Sequence, residues 1–392
     1  MSFVLMPRAV RSADVDLLEV AIEPHFDFAS HEYRSIHQKS QTTAFQAGGW
    51  LDTLHRELAP ALAVEPITVT VRQRSGGRLL LVLPLARSRR NGLVHVEFAD
   101  FGLCDYLGPV YDPVDAPLLV ASAALPARIV ALLAPCDVVS LRKLVGDDPV
   151  LERLFPRARR ARMRVSAYPV RIGSSIWAEW RSAKLNSGFR RDLDVKRRRI
   201  AKRGTAAFVL VEGRNEIVRV FDALRRFRAQ RFEERGVHDV LENEAIFSFY
   251  RRIAVDGAQE GTARTFCLYL SGEPIAVMFG VVHRRTFSLL LVGFDLVRYR
   301  RLSLGLLAIE DTLRASIEAG DSIYDFTIGD YPYKLQFGAQ SMPLYEWHAA
   351  QTIRGYLAVL CIEVARETKR VLKFLIKGAL RSPSVATAAS HW

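Results

Sequence analysis

Residues 324–338 read Tyr-Asp-Phe-Thr-Ile-Gly-Asp-Tyr-Pro-Tyr-Lys-Leu-Gln-Phe-Gly. The first part of this stretch predicts a β-strand, because aromatic side chains such as Tyr324 and Phe326 suit a pleated, half-buried surface. The strand must turn at Gly329, and Pro332 cannot donate a backbone hydrogen bond to a continuing ladder. Loops at strand ends are where a rigid scaffold displays chemically active side chains.

The turn carries polar groups on aromatic and long side chains. They follow one another closely: Asp330, Tyr331, Tyr333, Lys334 and Gln336. A solvated turn covered by its two tyrosines is the simplest interpretation of such a stretch taken alone. The upstream motifs described below favour a functional site.

The chain of 392 residues is too long for one ordinary core, so two domains are expected. Its composition, 49% hydrophobic and 25% charged, is typical of a soluble globular protein, and its formal net charge is +13. Two basic runs, residues 157–164 and 196–203, would attract nucleic acid, an anionic membrane face or a phosphorylated ligand. Solvated surface arginines are the simpler explanation of each run.

The four cysteines are scattered along the chain without a Cys-x-x-Cys pair: Cys104, Cys136, Cys267 and Cys361. This spacing fits neither a disulfide framework nor a zinc site, and no metal site is predicted. Residues 1–8 lack the apolar segment of a signal peptide, and the apolar window 117–135 is interrupted by Pro126 and Arg128. The expected location is the cytoplasm, with peripheral membrane contact left open.

The first half reads as helix, helix, strands, helix and strand, which indicates a mixed α/β fold rather than a parallel βαβ series. The Pro- and Arg-rich stretch 155–169 is the predicted domain boundary. After it, the pattern predicts a long basic helix over 177–203 and an antiparallel meander of three strands over 265–294. A basic amphipathic helix is predicted over 356–380, and the Ser-, Ala- and Thr-rich tail after Pro383 is expected to be disordered.

A helix start after the meander is a second candidate site. Ser303 is a suitable N-cap, and Gly305 lies in the first turn, where a better helix former would stabilise by about 1 kcal/mol. Close approach of another group to the backbone would explain that glycine. Helix N-termini bind phosphates through free amides and the helix dipole, and Arg298, Arg300 and Arg301 come just before. A capped helix with surface arginines is the competing interpretation.

The order of meander, arginine-bearing loop, helix, strand and Gly-Asp-x-x-Tyr-Lys turn resembles the GNAT acyltransferase superfamily. It looks most like the CelD-like branch linked to cellulose and polysaccharide biosynthesis, which is related to the FemAB aminoacyltransferases. The matching motifs are Tyr324-Asp-Phe, Gly329-Asp330, Tyr333-Lys334, Phe337-Gly338 and, in the first half, Asp105-Tyr106 and Gly108-Pro109.

The resemblance covers roughly Phe45 to Trp347 and implies tandem GNAT-like domains, each a mixed, mostly antiparallel sheet flanked by helices. Residues 1–165 would be a degenerate first domain and residues 166–350 the acyltransferase domain. Residues 351–392 would form the C-terminal helix and a flexible tail.

The resemblance also implies a co-substrate, acetyl-CoA or another acyl-CoA, and no metal. In the family, an Arg/Gln-x-x-Gly-x-Gly/Ala loop at a helix N-terminus holds the acyl-CoA pyrophosphate. The residues assigned to this site are Arg298, Arg300, Arg301, Ser303, Leu304 and Gly305. The sequence departs from the family pattern at the first glycine, which is Ser303, and again after Gly305, at Leu306.

Acyl transfer to an amine requires a group that takes the proton of the amine, because a free alkylamine has a pKa of about 10.4. Asp330 is the first candidate for this base, and Asp325 and Asp105 are the alternatives. Tyr333 is assigned the protonation of the leaving thiolate. Lys334 is assigned the binding of the anion of the acceptor or of the phosphates.

Three functions are compatible with the sequence. The leading one is an acyl-CoA-dependent N-acyltransferase, acting on an amine such as an amino sugar of an envelope polysaccharide. A FemAB-like aminoacyltransferase, whose basic runs would bind tRNA phosphates, is the alternative within the fold. The third is a non-catalytic accessory protein whose C-terminal helix contacts a membrane or a polysaccharide synthase. Motifs of serine hydrolases, P-loop enzymes, zinc proteases and dinucleotide-binding proteins are missing from the sequence.

Overall fold

The structure is a computed structural model that describes residues 17–379. The tail after Pro383 and the last position of the predicted C-terminal helix lie outside the described residues. The strands are β1 (Leu18–Ile22), β2 (Glu65–Gln73), β3 (Leu79–Arg90), β4 (Leu93–Phe98), β5 (Val110–Tyr111), β6 (Val138–Leu144), β7 (Arg159–Arg171), β8 (Ala206–Val211), β9 (Ala263–Leu270), β10 (Glu273–His283), β11 (Thr286–Phe294), β12 (Ile323–Ile328) and β13 (Met342–Ala350).

The helices alternate with these strands. They are α1 (His31–Lys39), α2 (Gly48–Thr53), α3 (Ala59–Ala61), α4 (Ala116–Ala121), α5 (Leu125–Leu132), α6 (Pro149–Leu154), α7 (Trp177–Lys184), α8 (Ser187–Ala201), α9 (Arg214–Glu233), α10 (Glu244–Glu260), α11 (Leu296–Tyr299), α12 (Leu304–Glu318), α13 (Pro332–Gln336) and α14 (Ile353–Ala379). A π-helical turn, Leu54–Leu58, joins α2 to α3.

All strands belong to one mixed sheet. Twelve of them follow the order β1-β2-β3-β4-β6-β13-β7-β12-β11-β10-β9-β8, and β5 pairs with β3. The predicted meander is confirmed, because β9, β10 and β11 pair antiparallel in succession. The predicted mixed α/β class is confirmed as well.

The same order of elements occurs twice along the chain. Each half has an edge strand, two helical segments, three antiparallel strands, further helices and a strand parallel to the third of the three, β6 beside β4 and β12 beside β11. The last strands are exchanged between the halves, since β7 pairs with β12 and β13 pairs with β6. The molecule is therefore a tandem repeat in which each half completes the sheet of the other.

Two predictions about local structure are wrong. The basic helix predicted over 177–203 is two helices, α7 and α8, because the chain is extended at Leu185 and Asn186 caps α8 by accepting a hydrogen bond from the Gly188 amide at 2.8 Å. The stretch 155–169, expected to be a linker, contributes most of β7, a strand at the centre of the sheet. That strand crosses the predicted boundary at residue 165, and the division into domains stays a prediction.

A shared core joins the two halves. The ring of Trp50 in α2 lies 5.0 Å from the ring of Phe249 and 6.1 Å from that of Tyr250, both in α10. Helices of both halves therefore pack into one hydrophobic cluster. This packing fixes the loop between β4 and β5 against the second half.

Within residues 17–379, no single helix is long and apolar enough to cross a membrane. Residues Pro113–Ala121 and Leu125–Leu132 together have a suitable length and composition, with a bend of 92° between them. Leu119, Leu125 and Ile129 of this pair are buried in the core.

Candidate functional site

The neighbouring parallel strands β11 and β12 separate in the middle of the second half. Their ladder ends at the pair Ser288 and Asp325, although β11 continues to Phe294. The register between β10 and β11 shifts in the same place, leaving Leu290 bulged. A bulge re-aims the backbone, and strands that part leave peptide groups without a ladder partner on that side. The result is a gap in the sheet lined by backbone.

Thr327 lies in this gap in a strained conformation. Its φ is +56°, a left-handed value that is a genuine outlier for a β-branched residue, and it is buried. Its amide donates to Oδ1 of Asp325 at 2.8 Å, and its hydroxyl donates across the gap to the carbonyl oxygen of Leu289 at 3.3 Å. Strain of this kind clusters at functional sites.

Asp325 joins the two halves of the molecule. The hydroxyl of Tyr106, from the loop between β4 and β5, donates to its Oδ2 at 2.6 Å. Burial raises the pKa of Asp325 to about 6, and the negative charge of Asp105 adds to the rise, while the hydrogen bonds from Tyr106 and the Thr327 amide act in the opposite direction. A carboxyl group with this pKa is mostly ionised at pH 7 and can exchange a proton near neutrality.

Asp105 precedes Tyr106 and brings a second carboxyl group to the gap. Burial raises its pKa, and a hydrogen bond with Thr327 and the positive charges of Lys143 and Lys334 oppose that rise. Two acids in neighbouring but different environments are a common arrangement at catalytic sites. The structure thus brings together Asp105 and Asp325, which lie far apart in the sequence.

Lys334, in α13, stabilises the end of β12. Its side chain is buried, and Nζ donates to the carbonyl oxygens of Phe326, Thr327 and Ile328 at 3.0, 3.2 and 3.0 Å. Burial lowers its pKa to about 8, against the raising effect of the nearby carboxylates. All three hydrogens of the ammonium group are used by backbone, so Lys334 holds the strand end that carries Thr327.

The other two predicted catalytic residues lie towards the outside. Asp330 is exposed and its Oδ1 accepts from the amide of Ser166 at 3.1 Å and from the hydroxyl of Tyr168 at 2.9 Å. Tyr333 is half-buried and stacks on Tyr331, with ring centroids 5.9 Å apart, and burial raises its pKa. The catalytic roles of both stay predictions.

The predicted phosphate site lies at the start of α12. Ser303 is the N-cap residue, but its φ is +52° and its side chain forms no capping bond. A Cβ on Gly305 would lie 3.2 Å from the ring of Phe294, so the group that approaches this glycine in the structure is that ring. Leu304 is buried, and helix geometry leaves the first amides of α12 without intrahelical acceptors.

The arginines before α12 differ in their surroundings. Arg298 pairs with Asp295 at 2.5 Å and Arg300 with Glu234 at 2.5 Å. Arg301 is exposed and forms no ion pair with the described residues. Arg301 can therefore bind an anion without first breaking an ion pair to a described residue, whereas Arg298 and Arg300 cannot.

Three residues of the site were not predicted from the sequence. Tyr106 belongs to a motif of the resemblance but has no role assigned from the sequence. Nothing in the sequence indicates the left-handed φ of Thr327, because threonine rarely adopts it. Arg228, which α9 presents towards β11, binds Asp239 through two hydrogen bonds and contacts the carbonyl oxygen of Val292 at 3.4 Å. Among residues 17–379, no group of three or more His, Cys, Asp or Glu could hold a metal ion.

The segment that contains β11, α12, β12 and the polar turn at Gly329 also matches a family model. Residues 187–335 match the sequence model of the acetyltransferase (GNAT) domain. They are a GNAT acetyltransferase domain. This match supports N-acyl transfer of the GNAT type for the second half of the chain, and it confirms the superfamily part of the resemblance for these residues. No curated protein sequence matches the chain.

Solved structures with a similar fold cover most of the chain. FemX has a TM-score of 0.58 and 12% identity over 87% of this chain and 99% of its own. The C-terminal domain of a putative lysylphosphatidylglycerol synthetase from Agrobacterium fabrum has a TM-score of 0.51 and 14% identity over 86% and 95%. L-PGS from Bacillus licheniformis has a TM-score of 0.51 and 12% identity over 88% and 98%. These likenesses show a shared fold.

Proposed function

We propose that the protein transfers an acyl group from acyl-CoA to the amine of a small acceptor, with an amino sugar of an envelope polysaccharide as the first candidate class. The observation that supports this most is the gap between β11 and β12, which has two carboxyl groups of raised pKa beside it and lies in the GNAT domain. The separated strands leave backbone groups that could bind a thioester once Thr327 moves, and the acids offer an acceptor for the proton of the amine.

The start of α12 would bind the pyrophosphate. The free amides of Leu304 and Gly305 and the positive end of the helix dipole favour an anion there. Arg301 adds a positive charge, and Arg298 and Arg300 would add theirs by exchanging their present carboxylate partners for phosphate. The thioester would then extend along β11 towards the bulge at Leu290, where a backbone amide would stabilise the developing oxyanion.

In the transfer step the amine nitrogen attacks the thioester carbon and forms the C–N bond. Asp325, held by Tyr106 and the Thr327 amide, takes the proton from the amine directly or through Asp105. The C–S bond then breaks, and the leaving thiolate receives a proton from Tyr333. Asp330, on the outer side of the turn, is the alternative base.

The pH dependence of catalysis should follow the pKa of Asp325. Because Asp325 must be ionised to accept a proton, kcat/KM should fall as the pH drops below about 6. Tyr106→Phe removes a hydrogen bond that favours the ionised carboxylate, so the acidic limb should move up by about one pH unit. The matched control is Tyr111→Phe. It removes a hydrogen bond of 3.0 Å that the Tyr111 hydroxyl donates to Asp148, within the first half of the chain. An acidic limb that stays in place in Tyr106→Phe would mean that another group is the base.

Binding of acyl-CoA can be tested by calorimetry without knowledge of the acceptor. Ser303→Glu places a negative charge at the start of α12, which suits the helix dipole but repels a pyrophosphate. We expect saturable binding of acetyl-CoA by the wild type and about tenfold or greater weakening in Ser303→Glu. Ser303→Gly, which suits the left-handed conformation at this position, is the control and should bind like the wild type. Equal binding by Ser303→Glu and the wild type would place the donor elsewhere.

Aminoacyl transfer from tRNA is the second candidate. The exposed side chains of Arg198, Arg199, Lys202 and Arg203 favour it, because they form no ion pair with described residues. Lys202 and Arg203 also line a cavity of about 800 Å³. Arg197 is unsuitable for testing this, since it binds Glu310 and Asp311 at 2.8 and 2.7 Å. Arg198→Glu with Arg199→Glu should abolish transfer if charged tRNA is the donor, and should leave acetyl-CoA-dependent transfer unchanged if it is not.

A further inference from the structure

Helix α14 has an apolar stripe that the other described residues, 17–352, leave uncovered. The stripe comprises large side chains at helical spacing, with exposed fractions from 41% to 83%: Ile353, Tyr356, Leu357, Leu360 and Val364. Positions three, four and seven apart fall on one side of a helix. Contiguous apolar surface of this kind on a protein marks a contact with another molecule or with lipid.

The opposite side of the helix holds it to the sheet. Val359 is buried, and α14 packs on β13 and β6. Thr352 donates to Asp137 at 2.6 Å just before the helix, and Glu363 binds Arg159 at 2.9 Å. These contacts fix the orientation of the first turns, so the stripe faces away from the core as a property of the fold.

Positive charge follows the stripe along the helix. Positions 366–377 hold five basic residues and a single acid, Glu367: the basic residues are Arg366, Lys369, Arg370, Lys373 and Lys377. On a helix of 3.6 residues per turn, these five positions fall on the side opposite the stripe. Val371 and Leu375 continue the spacing of the stripe itself. A helix with an apolar side and a Lys- and Arg-rich side is typical of segments that lie in a membrane interface.

We propose that α14 docks the protein on an anionic lipid bilayer, with the stripe inserted at the boundary of the acyl chains and the basic residues near the head groups. An anionic bilayer complements both features, since it receives apolar side chains and attracts Lys and Arg. The proposal does not rest on the identity of the acyl donor.

The test is co-sedimentation of the full-length protein with vesicles of phosphatidylcholine, with and without phosphatidylglycerol. The wild type should bind the mixed vesicles more tightly than the neutral ones. Leu360→Gln with Val364→Gln should lower binding at least about 100-fold, as expected for two buried aliphatic side chains. Lys373→Gln with Lys377→Gln should lower binding to the mixed vesicles about 25-fold. Val114→Gln, at a site 83% exposed in the first half, is the matched control and should change nothing.

Three results would overturn the proposal. The first is absence of binding to either kind of vesicle. The second is equal binding by the wild type and the Leu360→Gln, Val364→Gln protein, which stays folded because both sites are exposed. The third is a dimer in sedimentation equilibrium that this double substitution dissociates while vesicle binding is missing, which would make the stripe an interface between copies.

Discussion

Replacing Asp325 by Asn should lower kcat/KM for acyl transfer by about 100- to 10,000-fold, the usual contribution of general acid–base catalysis. The amide cannot take a proton from the amine. Its oxygen can still accept the hydrogen bond from the Thr327 amide, and a contact with the Tyr106 hydroxyl is retained, so the fold and the affinity for acyl-CoA should persist. Steady-state kinetics, combined with calorimetry of acyl-CoA binding, separates loss of chemistry from loss of binding.

The matched substitution is Asp330→Asn. Asp330 is exposed and contacts Ser166 and Tyr168, so its amide variant keeps the same shape and partners. We expect a loss of less than tenfold in Asp330→Asn. A large loss there, together with an active Asp325→Asn enzyme, would make Asp330 the base and contradict the assignment.

Replacing Lys334 by Met should lower the free energy of unfolding by about 3–5 kcal/mol, in the range measured when one partner of a buried charged interaction is removed. The substitution leaves three backbone carbonyl oxygens at the end of β12 without their donor, and the unsatisfied acceptors are buried. The nearby Asp105 and Asp325 also lose a compensating positive charge, so the pKa of each should rise further.

Urea unfolding measures this loss. Lys39→Met is the control, because Lys39 has an exposed side chain that makes a 3.7 Å ion pair with Asp112, and we expect a change within about 0.5 kcal/mol. An unchanged midpoint for Lys334→Met would show that the carbonyl contacts contribute little. Lys334 would then have to be considered for a role in ligand binding, as the sequence first indicated.

Local patterns predicted most of the elements of the second half. Alternating and β-branched residues located the meander β9-β10-β11, and its turns are compatible with two hairpins. The exchange of β7 and β13 between the halves could not be predicted, because hydrophobic period and turn residues describe each strand but not its neighbours. The sequence also indicates a linker over 155–169, because its many arginines obscure the alternation of apolar and polar residues that would mark a strand.

The site was partly predictable. Asp325, Lys334 and Asp105 were identified from motifs, and the structure places them around one gap. The hydrogen bond between Tyr106 and Asp325 joins residues 219 positions apart, and a spacing of that length carries no local signal. Gly305 was noticed for a sound reason, the cost of glycine in a first helical turn. The structure adds that the Phe294 ring leaves little room for a larger residue there, which the sequence could not show.

A crystal structure of the protein with acetyl-CoA tests the central claim most directly. We expect the thioester in the gap between β11 and β12, with its carbonyl oxygen within hydrogen-bonding distance of a backbone amide near Leu290. The pyrophosphate should lie at Ser303, Leu304 and Gly305. Asp325 should lie within reach of an amine placed in line with the thioester carbon. Acetyl-CoA bound elsewhere, with the gap still closed by Thr327, would contradict the proposed site.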